Sequence, residues 1–151
     1  MKKALNKLTA PKSIMPEKII QFGEGNFLRA FVDWIVWNMN AKTNFNGSVV
    51  VVQPIEKGMV EWLNGQDCLY HVNLQGRLKG EAVNTLERID VISRALNPYS
   101  QNAAFMALAE QPEMRFVISN TTEAGITFDP TCKFTDAPAA SYPGKLLQLL
   151  Y

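Results

Sequence analysis

The sequence predicts an α/β domain: a mostly parallel sheet with helices on both faces and an antiparallel hairpin inserted in it. Three observations carry this. The short run Ile19-Ile20-Gln21-Phe22 is followed at once by Gly23-Glu24-Gly25 and then by apolar residues at helical spacing. Val49-Val50-Val51-Val52 has the unbroken β-branched character of a strand buried on both faces. From residue 69 to 93 the pattern changes to two extended segments around a glycine-containing turn.

The elements follow in order. Residues 1–17 are polar and carry Pro11 and Pro16, so a loose arm is expected there, with residues 18–151 forming the folded domain. From Asn26 to about Met39, Phe27, Ala30, Phe31, Trp34 and Ile35 recur at helical spacing, and Leu28, Val32, Val36 and Met39 widen the stripe. That helix is expected to be mostly buried. With the valine strand it completes a right-handed βαβ unit. A weak helix is expected over Lys57 to Leu63, ended by Asn64-Gly65. Leu69 to Leu74 and Glu81 to Ser93 read as the hairpin strands, joined by a turn from Gln75 to Gly80. Asn97-Pro98 offers a start for a helix reaching about Gln111, and Met114 to Ser119 is the next strand. Residues 128–144, rich in Pro, Asp, Ala and Thr, read as an irregular connection. Lys145 to Tyr151 begins an apolar helix without a stop signal, so the expectation is a piece of a longer protein.

Composition narrows the partners. The chain has 151 residues, a net charge of +1 and no basic run longer than Lys2-Lys3, which gives no electrostatic footprint for nucleic acid or an acidic membrane. Small molecules are the expected partners. No signal peptide or long apolar stretch is present, so a cytoplasmic location is expected. Cys68 and Cys132 stand far apart with His71 as the single histidine, so both read as free thiols, His71 as structural, and no metal site is expected. The aromatic residues of the first helix read as core, not as a stacking platform for bases.

The strand, glycine turn and helix from Lys18 to Phe31 form the arrangement that holds a dinucleotide pyrophosphate, and with the strands around it the domain is of the Rossmann type. Gly23 can supply the positive φ of the tight turn, and Gly25 can let backbone approach a phosphate. A paired-glycine turn also occurs where no ligand binds, and that reading stands beside the first. Leu28 occupies the third glycine position, and Glu24 would have to point away from a bound pyrophosphate. Arg29 in the first turn opposes the helix dipole unless an anion is present or it pairs with Asp33. The second strand ends in Gln53 where an acidic residue is usual. Gln53 can still bond a ribose hydroxyl, and no arginine stands beside it, which favours NAD over NADP. Asn120-Thr121-Thr122-Glu123, at the end of a later strand, lies on the side where open α/β sheets bind ligands, or is simply a self-satisfied turn.

The segment from Ile19 to Trp34 resembles the opening of the sugar-acid oxidoreductases in the mannitol dehydrogenase family. Val50 to Ile55, Val117 to Gly125 and Pro138 to Leu146 resemble later segments of the same enzymes. The resemblance implies an NAD-dependent enzyme that interconverts D-altronate and D-tagaturonate by hydride transfer in hexuronate catabolism. It implies a nucleotide-binding segment of Ile19, Ile20, Gln21, Phe22, Gly23, Glu24, Gly25, Asn26, Phe27, Leu28, Arg29 and Ala30. Gln53, Asn120, Thr121 and Glu123 are further cofactor-edge positions on the same ground. The family's catalytic signature, a lysine followed five positions on by asparagine and three further by histidine, is not in this chain: Leu63 and Cys68 stand at those offsets before His71. No catalytic residue is therefore expected here, and the implied partner is a C-terminal domain that supplies them. The Lys145 to Tyr151 helix would then expose surface that such a domain covers, and self-association is expected. A nucleotide-sensing module that never catalyses is the alternative, and a methyltransferase with a similar loop a more distant one.

Overall fold

A computed structural model of the chain describes residues 5–151. In chain order its elements are β1 (Glu17–Phe22), α1 (Asn26–Lys42), β2 (Ser48–Val52), α2 (Val60–Gly65), β3 (Tyr70–Leu78) and β4 (Glu81–Ile89). There follow β5 (Ile92–Leu96), α3 (Asn102–Met106), β6 (Phe116–Ser119), a 3-10 turn (Glu123–Ile126) and α4 (Tyr142–Leu150). The main sheet is wholly parallel, in the order β5-β2-β1-β6, and β3 and β4 form a separate antiparallel ribbon.

The valine run is the centre of the molecule. Val49 and Val51 point to the side shared with Ile19, Val36 of α1, Leu63 of α2 and the hairpin residues Tyr70, Val72 and Ile89. Val50 and Val52 point to the other, with Phe22, Phe105, Leu108 and Leu149. All four valines are fully buried, each contributing roughly 1.5–3 kcal/mol by leaving water. Layers on both faces of the sheet match the expectation from the unbroken β-branched run.

Several boundaries differ from those expected, each for a local reason. The hairpin turn is only Lys79-Gly80, both at positive φ (52° and 88°), which suits the twist of two long antiparallel strands. Gly76 therefore lies inside β3. The segment from Glu81 to Ser93 is not one strand: it breaks after Ile89, and Ile92–Leu96 joins the main sheet beside β2. The short helix near residue 60 runs Val60–Gly65, through Asn64-Gly65, because the Asn64 side chain bonds Ala95 and so fixes the helix to β5. Asn97-Pro98 forms a turn, and the regular helix begins only at Asn102.

The arm is not loose where it is described. Lys12 Nζ donates to the Asp67 and Ser93 carbonyls at 2.7 and 2.8 Å, and Ser13 bonds the Asp90 carboxylate through its N–H and hydroxyl. The strand opens one residue early, at Glu17, whose carboxylate takes two bonds from Arg94. Helix α1 presents an unexpected face to the core: Leu28, Arg29, Asp33 and Val36 are buried, whereas Phe27 and Phe31 are more than half exposed. Two adjacent apolar lines share this helix, and only packing against the sheet and hairpin decides which is covered.

Candidate functional site

The chain leaves the C-terminal end of β1 toward β2 and later returns to β6 on the opposite side of β1. This reversal opens a crevice at the strand ends. A cleft of about 620 Å³ occupies it, lined by Gly23, Ile55, Asn120, Thr121, Gly125 and Tyr142 among others. A second of similar volume lies against the same post-β2 loop, lined by Glu56, Lys57, Glu61, Asn97 and Gln101 among others.

The two loop glycines have different reasons to be glycine. Gly23 sits at φ +122°, and a Cβ there would come within 3.0 Å of Leu28 Cδ1 and 3.3 Å of Asn120 Oδ1. Leu28 thus fills the space beneath Gly23, and the helix is spaced from the sheet by a side chain where the three-glycine form would close up. Gly25 has no such constraint. It is the N-cap of α1 at φ −70° and ψ 165°, makes no side-chain cap, and a Cβ on it would meet nothing within 4 Å. Neither conformation nor packing calls for glycine at that point. The space it leaves lies before the free N–H groups of a 17-residue helix, where an anion is favoured.

Behind the loop stands Arg29, only 7% exposed. Its Nε donates to the Glu24 carbonyl at 2.9 Å and its Nη2 to Asn26 Oδ1 at 2.6 Å, while its guanidinium lies between the rings of Trp62 and Tyr70. Arg29 therefore braces the loop from inside, and no ion pair joins it to Asp33 among the described residues. The Glu24 carboxylate lies beside Gly58 in the post-β2 loop.

Other predicted positions divide. Phe22, Gly23, Asn120 and Thr121 line the cleft. Ile19, Ile20 and Gln21 are buried in β1 and act as scaffold. Phe27 and Ala30 face outward on α1, outside the cleft lining. Glu123 begins the 3-10 turn, exposed, with its neighbours Thr122 and Ala124 on the lining in its place. Gln53 belongs to the wall of the second cleft but is only 1% exposed: its Nε2 donates to the Ile55 and Glu56 carbonyls and its Oε1 accepts from the Val60 N–H, so both ends of its amide are engaged within the protein.

Sequence reasoning missed the far wall. Ser141 caps α4 by accepting from the Gly144 N–H, which brings Tyr142 edge-on to Phe22 at a centroid distance of 5.0 Å. Lys145 is buried behind this wall, its ammonium donating to the Tyr99 hydroxyl and the Ala140 carbonyl. The signal was present as Ser141 followed by Pro143 in a helical first turn. Both cysteines are free, and no group of metal-ligating side chains exists among the described residues.

A parallel sheet with a glycine loop at its switch point defines a Rossmann-type domain. Residues 17–151 match the mannitol dehydrogenase Rossmann domain, and the chain belongs to that family. It is 80% identical over 149 residues to altronate oxidoreductases of Phocaeicola vulgatus and Bacteroides thetaiotaomicron, and 51% identical over 150 residues to that of Escherichia coli O1:K1. In each case the match covers 99% of this chain and 31% of the relative, so the chain spans about a third of their length. Among solved structures it is similar to Pseudomonas fluorescens mannitol 2-dehydrogenase in ternary complex with NAD and D-mannitol, with a TM-score of 0.65 and 24% identity over 80% of this chain and 27% of that one. A D-sorbitol dehydrogenase is similar at a TM-score of 0.63, with 80% of this chain and 25% of that one covered. These structural likenesses speak to the fold.

Proposed function

We propose that this chain is the NAD-binding domain of an oxidoreductase that interconverts D-altronate and D-tagaturonate in hexuronate catabolism. The observation that carries the cofactor reading is Gly25, whose packing and backbone conformation do not demand a glycine, at the open N-terminus of a long helix two residues beyond Gly23 of the crevice wall. When bound, NAD would supply the hydride acceptor. The chain's own residues would do the rest. The α1 amides hold the pyrophosphate, Arg29 keeps the loop shaped for it, and Asn120, Thr121 and Tyr142 border the cleft beside it. Glu56 and Glu61 outnumber Lys57 in the second cleft, which disfavours an additional phosphate and so favours NAD over NADP.

Under this reading residues 18–151 are the dinucleotide domain, residues 1–17 an arm that Lys12 and Ser13 tie to it, and the substrate pocket and catalytic residues come from a C-terminal domain. The altronate oxidoreductase name of the relatives supports the sugar-acid substrate. A cytoplasmic setting is part of the same proposal; no described helix is long and apolar enough to cross a membrane. Leu147 and Leu150 are 57% and 70% exposed on α4, so the chain alone self-associates; a monomer by light scattering at high concentration would refute that part.

The test is calorimetric titration with NADH, with NADPH and S-adenosylmethionine in parallel and Gly25→Val as control. Saturable binding of NADH, weaker NADPH binding and loss in the variant are expected. Saturation by S-adenosylmethionine alone would overturn the reading.

A further inference from the structure

Beneath the glycine loop lies a buried polar cluster that nucleotide binding does not directly use. Asp33 of α1 is fully buried. Its Oδ2 lies 3.1 Å from the Tyr70 hydroxyl and 3.5 Å from Gln21 Nε2. Both donors also have a second acceptor: the Tyr70 hydroxyl lies 2.9 Å from the Arg29 carbonyl, and Gln21 Nε2 lies 3.2 Å from the Gly23 carbonyl. Asp33 Oδ1 and Gln21 Oε1 are buried acceptors with no hydrogen-bond partner among the described residues.

Counting protons gives the cluster its meaning. Tyr70 has a single hydroxyl proton and two claimants for it. Two orphaned acceptors in one dry cluster are costly, and a proton on the Asp33 carboxyl removes the charge and supplies the missing donor. The groups facing Asp33 agree: among the described residues Arg29 from its own helix is the one cation, already held by Glu24 and Asn26, Tyr70 comes from β3, Cys68 precedes β3, and β1 contributes only the uncharged Gln21. Burial pushes the Asp33 carboxyl up to about 7, against the opposing pull of Tyr70, Gln21 and Arg29.

We propose that Asp33 is a positioning residue for the glycine loop, acting through Gln21, Tyr70 and Arg29. When it is neutral, their donors rest on the carbonyls of Gly23, Arg29 and Glu24 and the loop is held in shape. When it is ionised, it competes for the same donors and the loop slackens. The consequence for nucleotide affinity rests on the NAD-binding reading above; the coupling of Asp33 to the loop does not.

The experiment is an NMR titration of this chain from about pH 5.5 to about pH 9, following the Asp33 carboxyl carbon and the Gly23 and Gly25 amides, with NADH affinity measured at each pH. Asp33→Asn, which stays neutral and keeps a donor, is the comparison. The expected result is an Asp33 midpoint near neutrality, loop amides that follow it, and NADH binding roughly three- to tenfold weaker at the alkaline end, all flattened in the variant. Loop amides that follow Asp33 without NADH binding at any pH would uphold the coupling and count against the nucleotide reading. An Asp33 midpoint below about pH 5, or loop amides indifferent to it, would overturn the proposal.

Discussion

A Cβ on Gly58 would lie 2.5 Å from both Cδ and Oε1 of Gln53, so these two residues fix one another. Gln53 is buried at the end of β2, and the loop from Pro54 to Val60 is wound around its amide by three hydrogen bonds. Gly58→Ala must push that amide aside. A loss of roughly 1–3 kcal/mol is expected, read as a lower denaturation midpoint with unchanged slope. Gln53→Leu, of similar size, leaves those loop groups unsatisfied and is expected to cost about 2–4 kcal/mol.

The two loop glycines are expected to fail in opposite ways. Gly25→Val keeps an ordinary φ and meets open space, so its thermal midpoint should stay within a few degrees of the parent while NADH affinity falls more than about tenfold. Gly23→Ala places a side chain at φ +122° against Leu28, and roughly 1–3 kcal/mol of stability should go with it. Calorimetry paired with thermal melts separates the two.

Asp33 makes stability depend on pH with a definite sign. Its folded-state value, about 7, lies above the ordinary 3.8, so the folded chain retains a proton that the unfolded chain releases. The associated stability is complete below about pH 4, is lost as pH climbs through about 7, and changes little beyond. Against Asp33→Asn, the parent should lose roughly 2–4 kcal/mol between those limits, measured by denaturant unfolding at several pH values.

Tyr70→Phe deletes the hydroxyl that ties the hairpin to α1. Roughly 1–2 kcal/mol of destabilisation is expected, since the Arg29 carbonyl and the Asp33 carboxyl lose the donor they share. Because that hydrogen bond lowers the Asp33 pKa, the midpoint of the Asp33 carbon resonance should rise in the variant.

Much of this architecture was legible in the chain. Val49 to Val52 announced a doubly covered strand because only burial on both faces tolerates an unbroken β-branched run, and Gly23-Glu24-Gly25 announced the strand-to-helix turn because local backbone conformation is a near-neighbour matter. The start of α4 was read three residues late, at Lys145, although Ser141 and Pro143 carry the local signal for it. What the tertiary structure decided is which groups face one another across the fold. Periodicity could not say that α1 buries Leu28 and Val36 in place of Phe27 and Phe31, nor that Glu81 to Ser93 divides between a hairpin and the main sheet, because both choices satisfy the local pattern equally. Arg29 became a brace because residues distant in sequence, Trp62 and Tyr70, close around it, whereas the Gln53 amide is held by the loop that follows it. Local propensity sets the elements, while the pairing of buried polar groups is settled by contacts that exist only after the chain has folded.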